Sequence, residues 1–410
     1  MPAPARIPHV AVWIETSRAY GRGLIHGVAD YVRQHGPWSI YFSPHGLQDP
    51  LPTWLRKWKG DGILARIDDW KMAEILLARR LPLIDLRNRL PGLELPPFGL
   101  SNPPVAQLAF EHLHERGFRH YAFCGVPPGA HVHMDERRDV FSELVTKAGF
   151  TCHVYQLPPN GEKSSNWEQA QRQLGKWLRS LPKPVGIMCC NDDRGQEVTD
   201  ACRRAGIAVP DEVAVIGVDN DQALCNLSTP ALSSVDGNAE RIGYAAAAYL
   251  DRMMARGMTR LDREVLFLPS HVVTRLSTDT MAVDDPILAR ALRFIRDHAC
   301  EEIGVGDVVE AAVTSRRYLE RQMQALLGRT PNQEILRVRL RRAQELLLET
   351  NLPLETVARK VGFRSHKYLG DVFVRETGLP PGEFRRQARK VDEGLEPPLT
   401  PLNPATPSGE

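Results

Sequence analysis

The pattern of apolar and polar positions divides the chain into two parts. From residue 8 to residue 275, short runs rich in β-branched and aromatic residues alternate with amphipathic helical segments, which is typical of a parallel sheet covered by helices on both faces. After a first strand and the polar loop ETSRAYGRG, the first helix is predicted from about Leu24 to Gln34. The predicted strands are HVAVWI from His9, WSIYF from Trp38, GDGILARI from Gly60, LPLIDL from Leu81, YAFCGV from Tyr121, VGIMCC from Val185 and VAVIGVD from Val213.

Near the C-terminus, the stretch from Leu354 to Arg385 has the pattern of a helix-turn-helix. Apolar residues at i, i+3, i+4 and i+7 from Leu354 form one helical face, and Gly362 supplies a residue that can leave the helix through a left-handed conformation. Ser365 is placed to cap a second helix, whose predicted buried residues are Tyr368, Leu369, Val372 and Phe373. The polar residues available to DNA are Arg364, Ser365, His366, Lys367 and Arg375.

The same unit occurs 50 residues earlier, where Gly328 corresponds to Gly378 and Pro331 to Pro381. Four recognition-helix positions also correspond, namely Ser315, Tyr318, Leu319 and Met323 with Ser365, Tyr368, Leu369 and Phe373. The polar face of this first copy consists of Ser315, Arg316, Arg317 and Arg321. A helix containing RVRLRRAQELLLET joins the copies. A plain helical hairpin in a core would explain one such unit, but two copies at a fixed spacing favour a DNA-binding pair.

These motifs resemble the DNA-binding domain of the AraC/XylS family over residues 287–388. The matching motifs are S-R-x-x-L-x-R from Ser315, G-x-x-P from Gly328, R-L-x-x-A-x-x-L-L from Arg339, G-F-x-S-x-x-Y from Gly362 and T-G-x-x-P from Thr377. The resemblance implies sequence-specific binding of double-stranded DNA. The second recognition helix departs from the family pattern at Gly370, a poor helix former, and at Asp371, where a basic or neutral polar residue is usual.

The charge distribution agrees with this division. Residues 285–390 contain 20 Lys and Arg against 14 Asp and Glu, a net charge of +6, so the rest of the +2 chain carries −4. The excess of basic residues therefore lies with the helix-turn-helix units, as a phosphate-binding module requires.

The preceding part, residues 8–275, resembles the sugar-sensing domain of the LacI/GalR family. The matching residues are FGLSNPPVAQLAFEHLHERGFRHYAFCG from Phe98, RRDVF from Arg137, CNDDRGQEVTDACRRAGIAVPDEVAVIGVDND from Cys190 and ALSSVDGNAERIGYAAAAYL from Ala231. The resemblance implies an α/β two-lobed fold like that of periplasmic binding proteins. Residues 276–286 would then be a linker, and the Pro-rich, Glu-rich and Thr-rich residues 391–410 are predicted to be disordered.

A LacI-like sensor followed by an AraC-like domain is the arrangement of bacterial xylose-operon activators, which the chain resembles over nearly its whole length. This resemblance implies a sugar-responsive transcription regulator, with a monosaccharide, such as xylose, as its small-molecule effector. It also implies a homodimer that contacts RNA polymerase if it is an activator.

Polar residues that follow the predicted strands are the candidates for a ligand site. In open α/β sheets, ligands bind at the carboxyl ends of strands, which in a two-lobed protein means the cleft between the lobes. Sugar hydroxyls need carboxylate, amide and guanidinium partners, together with an aromatic face. The candidates are Glu15, Arg18 and Tyr20 after the first strand, Asn191 and Asp192 after VGIMCC, and Asp219 after VAVIGV.

The LacI/GalR resemblance adds two residues to this candidate site. Asn102 lies at the first crossover, where an aspartate is usual, and Arg137 matches the arginine that holds sugar hydroxyls. The alternatives are that Asp219 only caps a loop, that Arg137 pairs with a surface carboxylate, and that Arg18 is solvated. The pair His131 and His133 has no neighbouring Cys or second His pair, so we predict no metal site and no cofactor.

Composition and the remaining motifs narrow the function classes. Seven cysteines without a CxxC pair indicate a reducing compartment, and the N-terminal MPAPARIPHV lacks an apolar signal region, so we expect a cytoplasmic protein that does not bind membranes. An α/β sugar-processing enzyme with an incidental helical tail is the alternative. The sequence contains no G-x-S-x-G, G-x-G-x-x-G after a strand, P-loop or H-E-x-x-H motif and therefore no catalytic candidate. An architectural DNA-binding protein would not need a sensor domain of this size.

Overall fold

The computed structural model describes residues 6–46, 49–88, 90, 92–129, 131–156, 167–280, 282 and 285–392. They form a two-lobed α/β domain followed by an all-α domain with two helix-turn-helix units, and the predicted fold class is confirmed. The α/β domain contains, in chain order, β1 (His9–Trp13), α1 (Ala19–His35), β2 (Ser39–Phe42), β3 (Gly62–Ala65), α2 (Trp70–Leu77), β4 (Leu83–Asp85), β5 (Phe98–Leu100), α3 (Asn102–Glu115), β6 (His120–Cys124), α4 (Val132–Lys147), β7 (Cys152–Val154), α5 (Trp167–Ser180), β8 (Val185–Cys189), α6 (Asp192–Ala205), β9 (Val213–Val218), α7 (Gln222–Leu227), β10 (Ser233–Val235), α8 (Ala239–Arg256), β11 (Val265–Phe267) and β12 (Val272–Val273).

The two lobes are built on separate sheets. The first lobe has a parallel sheet in the order β2-β1-β3-β4, beside which β5 pairs with β11. The second lobe has the order β12-β10-β9-β8-β6-β7, in which only the short β12 is antiparallel among the pairs that the structure describes. The central strands β8 and β9 are buried along their whole length, which explains their continuous apolar sequences.

Helix α1 begins at Ala19, five residues before the predicted start at Leu24, and therefore includes Tyr20. The prediction was wrong because glycines in this segment lower its helix propensity. Gly23 and Gly27 are needed for close packing on α8, because added Cβ atoms would lie 2.8 Å from the Ala239 Cβ atom and 1.8 Å from the Glu240 carbonyl oxygen. Helix packing thus overrides local propensity here.

The all-α domain contains α9 (Pro286–His298), α10 (Val305–Ala312), α11 (Arg316–Leu327), α12 (Pro331–Glu349), α13 (Leu354–Lys360), α14 (His366–Thr377) and α15 (Pro381–Asp392). Helices α11 and α14 are the predicted recognition helices, and Ser315 and Ser365 cap them by accepting hydrogen bonds from the Tyr318 and Tyr368 amides at 3.2 Å. Of the predicted disordered tail, Val391 and Asp392 belong to α15, so the prediction was wrong for these two residues, and residues 393–410 lie outside the described residues.

Each helix-turn-helix unit has its own core, and α12 contributes to both. Ile335 of α12 packs in the first core with Leu319 and Met323, whereas Leu340, Ala343 and Leu347 pack in the second core. Tyr368 was predicted to be buried, which is wrong: 47% of its surface is exposed. Its ring contacts Phe363 in a T-shaped arrangement with 5.7 Å between centroids, so the ring is only partly covered.

The junction between the two domains is anchored in the second lobe. Ser277 and Thr278 are fully buried, and the Ser277 hydroxyl donates a hydrogen bond to the Val215 carbonyl oxygen of β9 at 2.6 Å. The Arg116 side chain, after α3, donates to the Thr278 carbonyl oxygen at 2.8 Å. The start of the segment predicted to be a linker is therefore held against the sensor rather than exposed.

Candidate ligand cleft and nucleic-acid interface

A cleft of about 670 Å³ lies between the lobes, at the carboxyl ends of β1, β8 and β9. Its lining contains residues of both lobes, as expected for a two-lobed ligand-binding fold. The structure brings together in this cleft all eight residues selected from the sequence, namely Glu15, Arg18, Tyr20, Asn102, Arg137, Asn191, Asp192 and Asp219.

Arg137 is held in a fixed orientation on the second-lobe side of the cleft. It lies in α4 and is only 4% exposed. Its Nε donates to Asn102 Oδ1 at 2.9 Å and its Nη1 to the Cys190 carbonyl oxygen at 2.7 Å. Asn102 in turn donates from Nδ2 to Glu136 Oε2 at 3.0 Å. The guanidinium group is thus preorganised at the cleft rather than paired with a surface carboxylate, which was the alternative.

The first-lobe side combines a buried ion pair with an aromatic ring. Glu15 accepts a hydrogen bond from Arg66, and the Arg66 guanidinium lies over the Tyr20 ring, 5.1 Å from its centroid. Burial raises the pKa of Tyr20 to about 12, so its hydroxyl keeps its proton and can donate a hydrogen bond at neutral pH. This side can therefore supply carboxylate oxygens, cationic donors and an aromatic surface.

Asp219 follows β9 in a strained backbone conformation. Its φ of 101° is rare for a residue with a side chain, and such strain is typical of ligand-binding positions. Burial raises the pKa of its carboxyl group to about 6, although Arg137 and Arg66 act in the opposite direction. The Asp219 carboxyl group is therefore influenced by one cation of its own lobe, Arg137, and one of the first lobe, Arg66.

Asn191 and Asp192 have internal partners at the cleft wall. Asn191 caps α6 by accepting from the Arg194 amide at 3.0 Å. Asp192 is 1% exposed and accepts hydrogen bonds from the Ser234 hydroxyl and the Asp221 amide, both at 2.6 Å. Burial raises the pKa of Asp192 well above its ordinary value. These contacts orient the loop after β8 and the loop after β9 toward each other.

Two ion pairs connect the lobes at the cleft. Arg18, before α1, pairs with Asp193 of α6, and Arg22 of α1 lies 3.5 Å from Asp221 Oδ2, before α7. Arg18 is therefore bound to the opposite lobe rather than simply solvated. Lobe separation would break both pairs, so they favour a closed arrangement.

Several cleft residues were missed from the sequence. Arg66 and Asp193 carried usable signals, because Arg66 directly follows β3 and Asp193 directly follows the selected residues Asn191 and Asp192. Arg87 and Asn88 follow the predicted strand LPLIDL and Asp221 lies two residues after Asp219, so strand-end reasoning could have selected them, whereas Glu136 lies on helix α4 and carries no such signal. His131 and His133 also line the cleft, and the described residues contain no group of three His, Cys, Asp or Glu side chains suited to a metal ion.

The recognition helices expose the selected polar residues. Arg316, Arg317 and Arg321 are exposed on α11, with Arg316 paired to Glu320 at 2.8 Å. Arg364, His366 and Lys367 are exposed at the start of α14. The serines at positions 315 and 365 are also exposed, but their side chains cap the helices.

The arginines of α12 contact protein groups instead of forming a third basic surface. Arg337 and Arg341 both bind Glu115, the last residue of α3, and the Arg341 Nη1 to Glu115 Oε2 distance is 3.0 Å. Arg339 donates to the Ala299 carbonyl oxygen at 2.6 Å. Burial alone would raise the pKa of Glu115, but Arg337 and Arg341 outweigh it and lower this pKa to about 2. The contact thus joins the sensor to α12, the helix between the two helix-turn-helix units. It is called the Glu115 cluster and consists of Glu115, Arg337 and Arg341.

Among the helices of the described ranges, none combines the length and apolar character that crossing a membrane requires.

Three family models match successive parts of the chain. A XylR N-terminal domain matches residues 9–89, a periplasmic binding protein-like domain matches residues 110–278, and a helix-turn-helix domain matches residues 308–387. Together they cover both lobes and both recognition helices.

Individual proteins are similar over most of the chain. The xylose operon regulatory protein of Haemophilus influenzae is 31% identical, covering 92% of this chain and 97% of its own, and that of Escherichia coli K12 is 31% identical, covering 92% and 96%. A solved structure of the xylose-binding transcription activator XylR has a TM-score of 0.60 and 29% identity, covering 93% of this chain and 98% of its own. A LacI family regulator from Enterococcus faecium with bound ribose, at 15% identity and a TM-score of 0.54, shares the sensor fold.

Proposed function

The chain belongs to the family of xylose operon regulatory proteins, and we propose that it activates carbohydrate catabolic genes when a monosaccharide occupies the interlobe cleft. At the coarser level it is a helix-turn-helix transcription regulator. Xylose is the leading candidate effector because the relatives are named for the xylose operon and one solved relative is described as xylose-binding. We further propose a cytoplasmic homodimer that binds double-stranded DNA and contacts RNA polymerase.

The observation that carries this proposal is the chemistry of the cleft. Arg137 and Arg66 supply fixed donors, Glu15 and Asp219 supply acceptors, and the Tyr20 ring supplies an apolar surface. A monosaccharide offers hydroxyl groups that both donate and accept, together with C–H faces, so it matches this set. The similar proteins that cover most of this chain are transcription regulators, which favours a binding protein over the sugar-processing enzyme.

Helix α3 offers a physical route from the cleft to the DNA-binding domain. Its first residue, Asn102, holds Arg137 in the cleft, and its last residue, Glu115, binds Arg337 and Arg341 of α12. We propose that sugar-dependent movement of the lobes is transmitted along this helix and through the anchored junction. The sugar must then bind two states with different affinities, and reversing their populations fully needs a ratio of about 10⁴.

A screen of monosaccharides by thermal shift, followed by DNA retention with and without each stabilising sugar, tests the proposed function. A ligand at 100 times its Kd stabilises a fold by about 2.7 kcal/mol, which such a screen detects. We expect one or a few pentoses to raise the melting temperature and to change retention of a specific DNA sequence. Chemical turnover of the sugar would instead support the enzyme alternative.

Sugar affinity is expected to fall as the pH decreases from 7 to 5. The raised pKa of about 6 means that Asp219 becomes protonated in this range and loses an acceptor for sugar hydroxyls. The stability of the sugar-free protein is expected to change in the opposite direction. Because the pKa of Asp219 is higher in the folded state than its ordinary value of 3.8, this carboxyl group stabilises the fold at pH values below 3.8, and the stabilisation is lost as the pH rises through about 6. Calorimetric titration of xylose at several pH values measures the first effect. Asp219→Asn should bind more weakly with a flatter pH profile, and an unchanged profile would contradict the assignment.

Arg317→Ala and Lys367→Ala are each expected to weaken operator binding. Both side chains are exposed on the recognition helices, and a base-edge contact contributes about 1 to 3 kcal/mol, whereas a phosphate contact lowers the salt dependence by about one unit. Arg203→Ala in α6 is the control, because this arginine is 64% exposed and lies in the sensor. Fluorescence anisotropy at several salt concentrations distinguishes the two kinds of contact. Equal affinities for all three variants would exclude these residues from the interface.

A further inference from the structure

Gly370 lies in the middle of α14, where the protein itself gives no reason for glycine. A Cβ atom built at this position has no neighbouring atom within 4 Å, so packing does not exclude a side chain. The backbone is helical, in contrast to Gly362 and Gly378, whose φ angles of 79° and 76° favour glycine. Because glycine is less favourable than alanine inside a helix, Gly370 lowers the stability of the fold without a compensating contact.

Asp371, the next residue, presents a free carboxylate on the exposed side of α14. It forms no hydrogen bond or ion pair with any residue that the structure describes, although Lys367 lies one helical turn earlier. The corresponding pair in α11, 50 residues earlier, is Glu320 and Arg321, and there the carboxylate of Glu320 is paired with Arg316 at 2.8 Å. At the position of Asp371, α11 therefore has the basic residue Arg321, and its acidic residue Glu320 is paired, whereas α14 leaves Asp371 without a partner among the described residues.

A free carboxylate on a DNA-facing helix restricts what the helix can contact. It is repelled by phosphate groups, which are the commonest partners of basic residues at such interfaces. The major groove does contain a partner for it, because the N4 amino group of cytosine donates a hydrogen bond that Asp or Glu can accept. A short Asp side chain reaches this group only when the helix backbone lies close to the base edges, and a residue without a side chain permits this approach.

We propose that Gly370 and Asp371 together form a cytosine-reading site in α14, in which Gly370 allows close approach of the helix and Asp371 accepts a hydrogen bond from cytosine N4. This inference rests on the proposed function, since it requires α14 to enter the major groove. It makes the two helix-turn-helix units unequal: α11 binds through its arginines, and α14 contributes discrimination at a C·G pair.

The first test compares Gly370→Ala with Gly175→Ala in the full-length chain. Gly175 is the control because it also lies within a helix, α5, and its added Cβ would meet Ala205 at an ordinary 3.6 Å. Both variants should unfold at a higher temperature than the unmodified protein. Gly370→Ala should bind the DNA sequence selected by the unmodified protein at least tenfold more weakly, whereas Gly175→Ala should bind it equally. Unchanged DNA affinity of Gly370→Ala would overturn the proposal.

The second test determines base preference with a randomised double-stranded DNA library. For the Asp371→Ala variant, we expect the preference for C·G to be lost at a single position and retained at the others. A uniform increase in affinity with a steeper salt dependence and unchanged preferences would show that Asp371 only repels phosphates, which would overturn the proposal. Failure of the unmodified protein to select any sequence would instead refute the proposed function itself, so the two failures are distinguishable.

Discussion

Replacing Arg137 with alanine is expected to abolish the sugar response. The side chain is buried at the cleft and held by Asn102 and the Cys190 carbonyl oxygen, so its remaining donor capacity is preorganised for a ligand. Hydrogen bonds that involve a charged group contribute about 1.5 to 3 kcal/mol each, so the loss of two corresponds to at least a hundredfold weaker binding. Thermal shift and calorimetry with xylose measure this loss, while operator affinity without sugar should be retained.

Arg138→Ala is the matched control for this variant. Arg138 is the adjacent residue of α4, but its partners are Asp135 and Asp139 and it does not line the cleft. Its removal should leave sugar affinity unchanged. Since Arg137→Ala also removes internal hydrogen bonds, Arg137→Lys and the unfolding temperature without sugar show whether the lobe still folds. A folded Arg137→Ala variant that responds to sugar with an unchanged midpoint would refute the proposed cleft.

Glu115→Ala is expected to uncouple the sensor from the DNA-binding domain. Removing one partner of a fully buried ion pair costs about 3 to 5 kcal/mol. The cost is smaller here, because the Arg337 and Arg341 side chains are 26% and 28% exposed and keep Glu334 and Glu111 as partners, but the close contact between Glu115 and α12 is lost. Sugar should still raise the melting temperature of the sensor, since Glu115 is absent from the cleft lining. Operator affinity should then no longer depend on sugar, and thermal unfolding should separate into two transitions.

Glu111→Ala is the control for this second prediction. Glu111 lies one turn earlier in α3, is 41% exposed and is 3.9 Å from Arg341, so it contributes much less to the interface.

The low pKa of Glu115 adds a pH test. The stabilisation that the Glu115 carboxylate contributes to the fold is present above its ordinary pKa of about 4.5 and is lost as the pH falls toward about 2. A sugar response of normal size in Glu115→Ala would show that coupling follows another route.

The parts that could be predicted from the sequence are those governed by local rules. Glu15 and Asp219 were predicted as ligand-site residues because they follow predicted strands, and the carboxyl ends of parallel strands meet at one edge of a sheet. The serine caps and the left-handed glycines of the helix-turn-helix units also follow from adjacent residues. The resemblance to known families was needed for Asn102 and Arg137, whose positions on helices give no such signal.

The parts that could not be predicted depend on contacts between distant residues. Glu115 and Arg337 are separated by 222 positions, and nothing in either local sequence marks them as partners. The early start of α1 depended on its packing against α8, more than 200 residues later in the chain.

The sharing of α12 between both helix-turn-helix cores has a consequence for the operator. With 19 residues at about 1.5 Å each, this helix is roughly 28 Å long, and it cannot bend without disturbing Ile335 in one core or Leu340 in the other. Because one turn of DNA contains about 10 base pairs, adding a single base pair between the two contacted sites would rotate one of them by roughly 35° around the duplex. Operator affinity is therefore expected to depend on the rotational position of one contacted site relative to the other around the duplex. The number of intervening base pairs should affect this affinity more than their identity does.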